Sequence, residues 1–138
     1  MNTQEYLSQV FYLDGRIKSK LEQIEQLRAM SVGTAVTVSD MPGSPNRNIH
    51  KLEDITVRLI AMENAAADAI DQLSKLKLEI MVAIDQVDKV KYRVLLEERY
   101  LCYKNWKDIA MVLDITPRYV HKLHKKALAA VEPFLKIN

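Results

Sequence analysis

From Leu52 onward every seventh residue is apolar: Leu52, Leu59, Ala66, Leu73, Ile80 and Val87. A second row three residues on, Ile55, Met62, Ala69, Leu76, Ala83 and Val90, is apolar as well. A helix of 3.6 residues per turn keeps a seven-residue seam on one side only by supercoiling left-handed around a partner. Ile70 and Ile84 widen the seam enough for more than one partner helix. A single helix of about 40 residues, ~60 Å long, draws its stability from packing such a stripe, so it does not stand alone in water. The chain must therefore supply helices to cover it, from itself or from a second copy.

One partner lies upstream. Leu7, Val10, Leu13, Ile17, Leu21, Ile24 and Leu27 recur at intervals of three and four between Thr3 and Met30, the spacing of an amphipathic helix. The segment 31–48, SVGTAVTVSDMPGSPNRN, holds two of the three glycines and two of the four prolines and reads as a loop. Arg47 is its one strong phosphate binder. The expectation is a long antiparallel helical hairpin or coiled coil over residues 1–90. Its first helix is about a third shorter than its second, and the surplus stripe goes to a second copy or to the C-terminal domain.

The scarcity of Gly and Pro and the wealth of Leu, Ala, Glu, Lys and Gln point to an all-α fold. No run approaches a membrane-spanning length, and the N-terminus lacks a basic, then apolar, leader. Cytoplasmic residence is the expectation. Charge is divided unevenly: residues 1–88 carry a net of −4, residues 89–138 a net of +6. A basic C-terminal third on an acidic remainder suits a polyphosphate partner.

That third, residues 91–138, has its own pattern. Residues 91–103 read as a helix with Leu96, Tyr100 and either Tyr103 or Leu101 on one side. Asn105 is an N-cap for a short helix from Trp106 to Leu113, with Trp106, Ile109, Ala110 and Leu113 inward. Asp114-Ile115 breaks it; Thr116 caps a third helix, and Pro117 takes its first position, where a missing N–H costs nothing. Val120, Leu123, Ala127, Leu128 and Val131 face inward, and the helix ends before Pro133. A short helix, a tight turn and a capped helix make a helix-turn-helix. Between Asp114 and Glu132 there is no acid, while Arg118, His121, Lys122, His124, Lys125 and Lys126 crowd together. Arg118 and Lys122 share one face with Lys125 a turn later, and Arg or Lys can bond the O6/N7 edge of guanine. Lys104, Lys107 and Lys126 surround that face, with Thr116 at the helix start, as phosphate contacts alongside Lys125.

The stretch LLEERYLCYKNWKDIAMVLDITPRYVHKLHKKALAAVE, residues 95–132, resembles region four of bacterial sigma factors in its L-x-x-R-Y-L start, W-x-x-I-A core, Thr cap and late K-A-L. The whole chain, including SDMPGSP at 39–45, resembles small phage and prophage proteins of Gram-positive bacteria grouped near late-gene transcriptional regulators. The resemblance implies that the third helix enters the major groove and places base reading on Arg118, His121 and Lys122, with Tyr119 beside them. Pro117 stands where sigma factors often have an arginine, and Arg118 where they have an acid, so the sequence read differs from the usual promoter element. No promoter-melting region is present, and a complete sigma factor is not expected.

The expected function is transcription regulation by sequence-specific binding of double-stranded DNA. RNA polymerase is a further expected partner, and a homo-oligomer, a dimer by preference, forms through the coiled coil. Two alternatives are a small-terminase-like packaging protein and a protein-binding adaptor on the polymerase. No glycine-rich phosphate loop, Ser-His-Asp set or carboxylate pair can be assembled, so neither an enzyme, a small-molecule substrate nor a cofactor is expected. His121 and His124, with Cys102 remote, lack a fourth metal ligand. Cys102 reads as a small buried hydrophobe and Trp106 as part of the core.

Overall fold

The computed structural model describes the backbone of residues 1–40 and 45–137, and the side chains of residues 1–32 and 50–137. Its fold is all-α, with no strand among the described residues. Helix α1 runs Thr3–Asp40, α2 Pro45–Asp85, α3 Val90–Leu96, α4 Trp106–Leu113 and α5 Pro117–Val131. A π turn, Glu97–Leu101, extends α3, and a 3-10 turn, Glu132–Phe134, follows α5. The chain divides into two compact units, one of Met1–Asp14 with Gln72–Asn138, the other Gly15–Asp71. Among the described residues no helix is long and apolar enough to cross a membrane.

Helix α1 starts on a capping box. The Asn2 side chain accepts from the Glu5 N–H at 2.8 Å while the Glu5 carboxylate accepts from the Asn2 N–H at 3.2 Å. Its other end overturns an expectation. Helix replaces both ends of the loop expected at 31–48, since α1 reaches Asp40 and α2 opens at Pro45. Extending an existing helix fixes one residue per new hydrogen bond, whereas the costly step is nucleation. Pro45 sits in the first position of α2, where its missing N–H is harmless. Residues 41–44 and the side chain of Arg47 lie outside the described residues. At 38 and 41 residues the two helices are nearly matched, so the expected shortfall of a third is absent.

In the unit Gly15–Asp71, Ile17 and Ile24 of α1 and Ile55 and Ala66 of α2 are buried, and Arg28 Nη2 donates to Glu63 Oε1 at 2.6 Å. Ile70, expected to widen the seam, is exposed there. In the other unit Leu7 and Val10 are buried, as are Leu73, Ile80, Ala83, Ile84 and Val87. The Tyr6 hydroxyl donates to Glu79 Oε2 at 3.3 Å. The heptads end earlier than their pattern. Helix α2 stops at Asp85, and Val90, the last residue of the second row, is 61% exposed at the start of α3. The cause is tertiary: α3 packs Leu95 and Leu96 into the core beneath α5, so the chain leaves the seam before the last heptad is complete.

Candidate nucleic-acid interface

Helices α4 and α5 are held by local bonds that the residues around them dictate. Asn105 Oδ1 accepts from the Asp108 N–H at 2.8 Å, capping α4. At the far end Asp114 takes the left-handed conformation, φ 54 and ψ 48. Its N–H then bonds the Met111 carbonyl at 3.2 Å, and the Ile115 N–H bonds the Ala110 carbonyl at 3.0 Å. This is the Schellman closure, usually made with glycine; Asp is among the few side chains that tolerate it. Thr116 then accepts from the Tyr119 N–H at 3.1 Å and caps α5, with Pro117 in its first turn. Beneath the two helices Ile109, Ala110, Val120, Leu123, Ala127 and Val131 are buried, and Leu128 is half-buried.

The buried positions fix which side of α5 faces out. Arg118, Lys122 and Lys125 are exposed and follow one another at steps of four and three, forming a strip opposite Val120, Ala127 and Val131. His121 is exposed on the edge toward α4, its ring 5.3 Å from that of Trp106. Tyr119 and Lys126 are exposed on the other edge, toward α3. Lys107 is exposed in the first turn of α4. Lys104, on the connection before it, is tied to Glu98 at 2.6 Å, and Glu98 raises its pKa. By contrast, among the described residues Lys107, Arg118, Lys122, Lys125 and Lys126 have no carboxylate at ion-pairing distance. The structure thus brings Arg118, Lys122 and Lys125 onto one strip with His121, Tyr119 and Lys126 beside it, while Lys104 is neutralised locally.

Under the His121 edge lies a cluster that the basic pattern did not reveal. The Tyr100 hydroxyl is 2.6 Å from His124 Nε2, both residues buried, and the Trp106 ring is 4.5 Å from that of His124. The Arg99 guanidinium lies over the Trp106 ring, 4.4 Å from its centroid, and donates to the Lys104 carbonyl at 3.0 Å. Burial, then the charge of Arg99 and of His121, pushes the His124 pKa down to about 4. Burial raises Tyr100 to about 12, so its hydroxyl keeps its proton in the hydrogen bond it shares with the neutral imidazole. Trp106, expected in the core, is half-buried at the centre of this cluster.

The π turn explains the side-chain placement on α3. Leu95 and Cys102 are seven apart and would share a buried face in an unbroken helix. The Cys102 N–H instead bonds the Glu97 carbonyl, five residues back, at 3.0 Å. The extra residue turns Cys102 outward, and it is an exposed free thiol, contrary to the expected buried position. Tyr103 follows at φ 58, a conformation unfavourable for an aromatic residue by about 1–2 kcal/mol. Its ring packs edge-on to Phe11 at 5.4 Å. Burial and then Asp14 raise its pKa to about 12.

No known protein family, curated protein or solved structure matches the chain. Among the described residues no three His, Cys, Asp or Glu side chains gather where they could hold a metal ion.

Proposed function

We propose that this chain is a sequence-specific DNA-binding regulator of transcription, phage or prophage encoded, that acts in the bacterial host cytoplasm. Helix α5 lies in the major groove as the second helix of a helix-turn-helix. Arg118 and Lys122 read base edges, with His121 beside them, and Lys107, Lys125 and Lys126 bind phosphates. Lys104 joins them once it leaves Glu98, and the Thr116 hydroxyl donates from the helix start. The observation that carries this reading is the exposed strip Arg118–Lys122–Lys125, capped at its start and without a carboxylate at ion-pairing distance among the described residues. A merely solvated helix face gains from interspersed acids, and this one has none from Ile115 to Val131. The likeness of residues 95–132 to sigma region four supports the same placement. The reading assigns the protein no catalysis and no cofactor.

Oligomerisation through α1 and α2 completes the proposal, with a dimer setting the spacing of half-sites. Exposed Val57 and Ile60 in the one unit, and exposed Leu78, Met81 and Val82 in the other, offer apolar surface for a second copy. A second reading, an adaptor docked on RNA polymerase, is favoured by α4, where Met111 is 72% and Val112 53% exposed. Selection from a random duplex pool, with the mass of the protein measured alongside, tests the proposal. Enrichment of one motif by a dimer supports it. A ring of many subunits without an enriched motif favours packaging, and no retained DNA with binding to polymerase favours the adaptor.

A further inference from the structure

On the edge of α5 away from His121, the start of α3 and the flank of α5 enclose a groove of about 390 Å³. It is lined chiefly by Lys89, Lys91, Tyr92, Tyr119, Leu123 and Lys126. No acidic residue lines it, and among the described residues none of its three lysines has a carboxylate at ion-pairing distance. Lys89 is held over the Tyr92 ring, its ammonium 5.3 Å from the centroid, which restrains a side chain that would otherwise wander. Tyr119 is 41% exposed and sits seven residues before Lys126, directly beneath it on the helix.

Helix α5 therefore carries a basic row and, parallel to it, a flank of one tyrosine and one lysine. Arg118, Lys122 and Lys125 point straight out, while Tyr119 and Lys126 are turned by about 100° toward α3. A helix seated in a major groove about 12 Å wide meets base edges with the start of its outward row, Arg118 and Lys122, and a phosphate wall with the flank toward α3. We infer that the groove between α3 and α5 seats one phosphodiester strand of the duplex. Lys89, Lys91 and Lys126 contact its phosphates, and the Tyr92 and Tyr119 hydroxyls donate to phosphate oxygens. The inference rests on the DNA-binding reading above and deepens it. It moves Tyr119 from base reading to backbone contact and brings in Lys89 and Lys91, which lie outside the α4–α5 pair. Phosphate contacts fix register and orientation on the duplex without carrying sequence. The start of α3 would thus set how α5 is aimed.

The test compares full-length Lys89→Gln/Lys91→Gln with wild type and with a charge-matched control, Lys51→Gln/Lys136→Gln. Each is titrated by fluorescence anisotropy against a mixed-sequence duplex and against a duplex enriched by selection, over a series of salt concentrations. Each phosphate contact contributes about 0.9 to the slope of log affinity against log salt. The groove variant should therefore lose about 1.8 of that slope and bind both duplexes about tenfold more weakly, its preference between them unchanged. The control should keep the wild-type slope. Wild-type binding with a groove variant that matches the control overturns the groove and leaves the DNA reading standing. A groove variant whose loss is confined to the enriched duplex also overturns it, because that is the behaviour of a base contact. Absence of wild-type binding at low salt removes the underlying reading and the groove with it.

Discussion

Lowering the pH from about 7 to about 4.5 should loosen the packing of α3, α4 and α5 through His124. The residue is 7% exposed, its Nε2 is hydrogen-bonded to the Tyr100 hydroxyl at 2.6 Å, and its pKa is pushed from 6.5 to about 4 by burial and by Arg99 and His121. In the unfolded chain the ring takes up a proton near pH 6.5, while in the folded chain it stays neutral until about pH 4. Stability from this ring is therefore complete above pH 6.5 and is lost as pH falls toward 4. At 1.36 kcal/mol per pH unit the full drop corresponds to about 3 kcal/mol, and allowing for water at the half-buried Trp106 edge leaves about 2. For a domain of this size that is roughly 8–16 °C in melting temperature. Trp106, the one tryptophan, reports on the event directly because its ring touches His124. The reference is the Tyr100→Phe/His124→Phe double variant, which removes both polar partners together and leaves no orphan. Melting followed by Trp106 fluorescence should show the wild type losing more between these pH values than the double variant does. Parallel losses in the two proteins would refute a neutral buried His124.

Arg118→Ala should relax sequence preference at one or two positions by about 1–3 kcal/mol, whereas Lys107→Ala should weaken binding to all duplexes alike; equal losses on every duplex from both changes would contradict the roles given to them. Thr116→Ala removes the α5 cap and should cost about 1 kcal/mol in urea unfolding followed at Trp106; a change under about 0.3 kcal/mol would show that Pro117 alone starts the helix. Cys102 should react with a disulfide-exchange reagent in the folded protein at nearly the rate of a free thiol; protection until unfolding would place it in the core after all.

Much of the fold was legible because it rests on periodicity and capping chemistry. The heptads predicted α2, and the caps at Asn105 and Thr116, with Asp114 left-handed between them, bound the α4–α5 pair where those residue types require. What escaped sequence reasoning depends on packing at a distance or on single inserted residues. Nothing in Glu97–Leu101 announces a π turn, yet it rotates Cys102 from the inner face to solvent. Val90 completes the apolar row but opens a new helix, because Leu95 and Leu96 are drawn into the core under α5. Helix continues to Asp40 through Ser31 and Gly33, which composition had suggested as the start of a loop. Among the basic residues, spacing identified the strip Arg118–Lys122–Lys125 but not the local pairing of Lys104 with Glu98. Lys89 and Lys91 come beside Tyr119 and Lys126 only because α3 lies against α5.

On the proposed reading the exposed face of α5, whose bases have no carboxylate at ion-pairing distance among the described residues, binds duplex DNA. Titration of the full-length protein with a mixed-sequence duplex at a low and a near-physiological salt concentration tests it most directly. Several phosphate contacts predict tight binding at low salt that falls by at least about a hundredfold at the higher salt. Arg118→Ala/Lys122→Ala should blunt both the affinity and the preference for a selected sequence. No binding at low salt, or binding that salt leaves unchanged, would contradict the account.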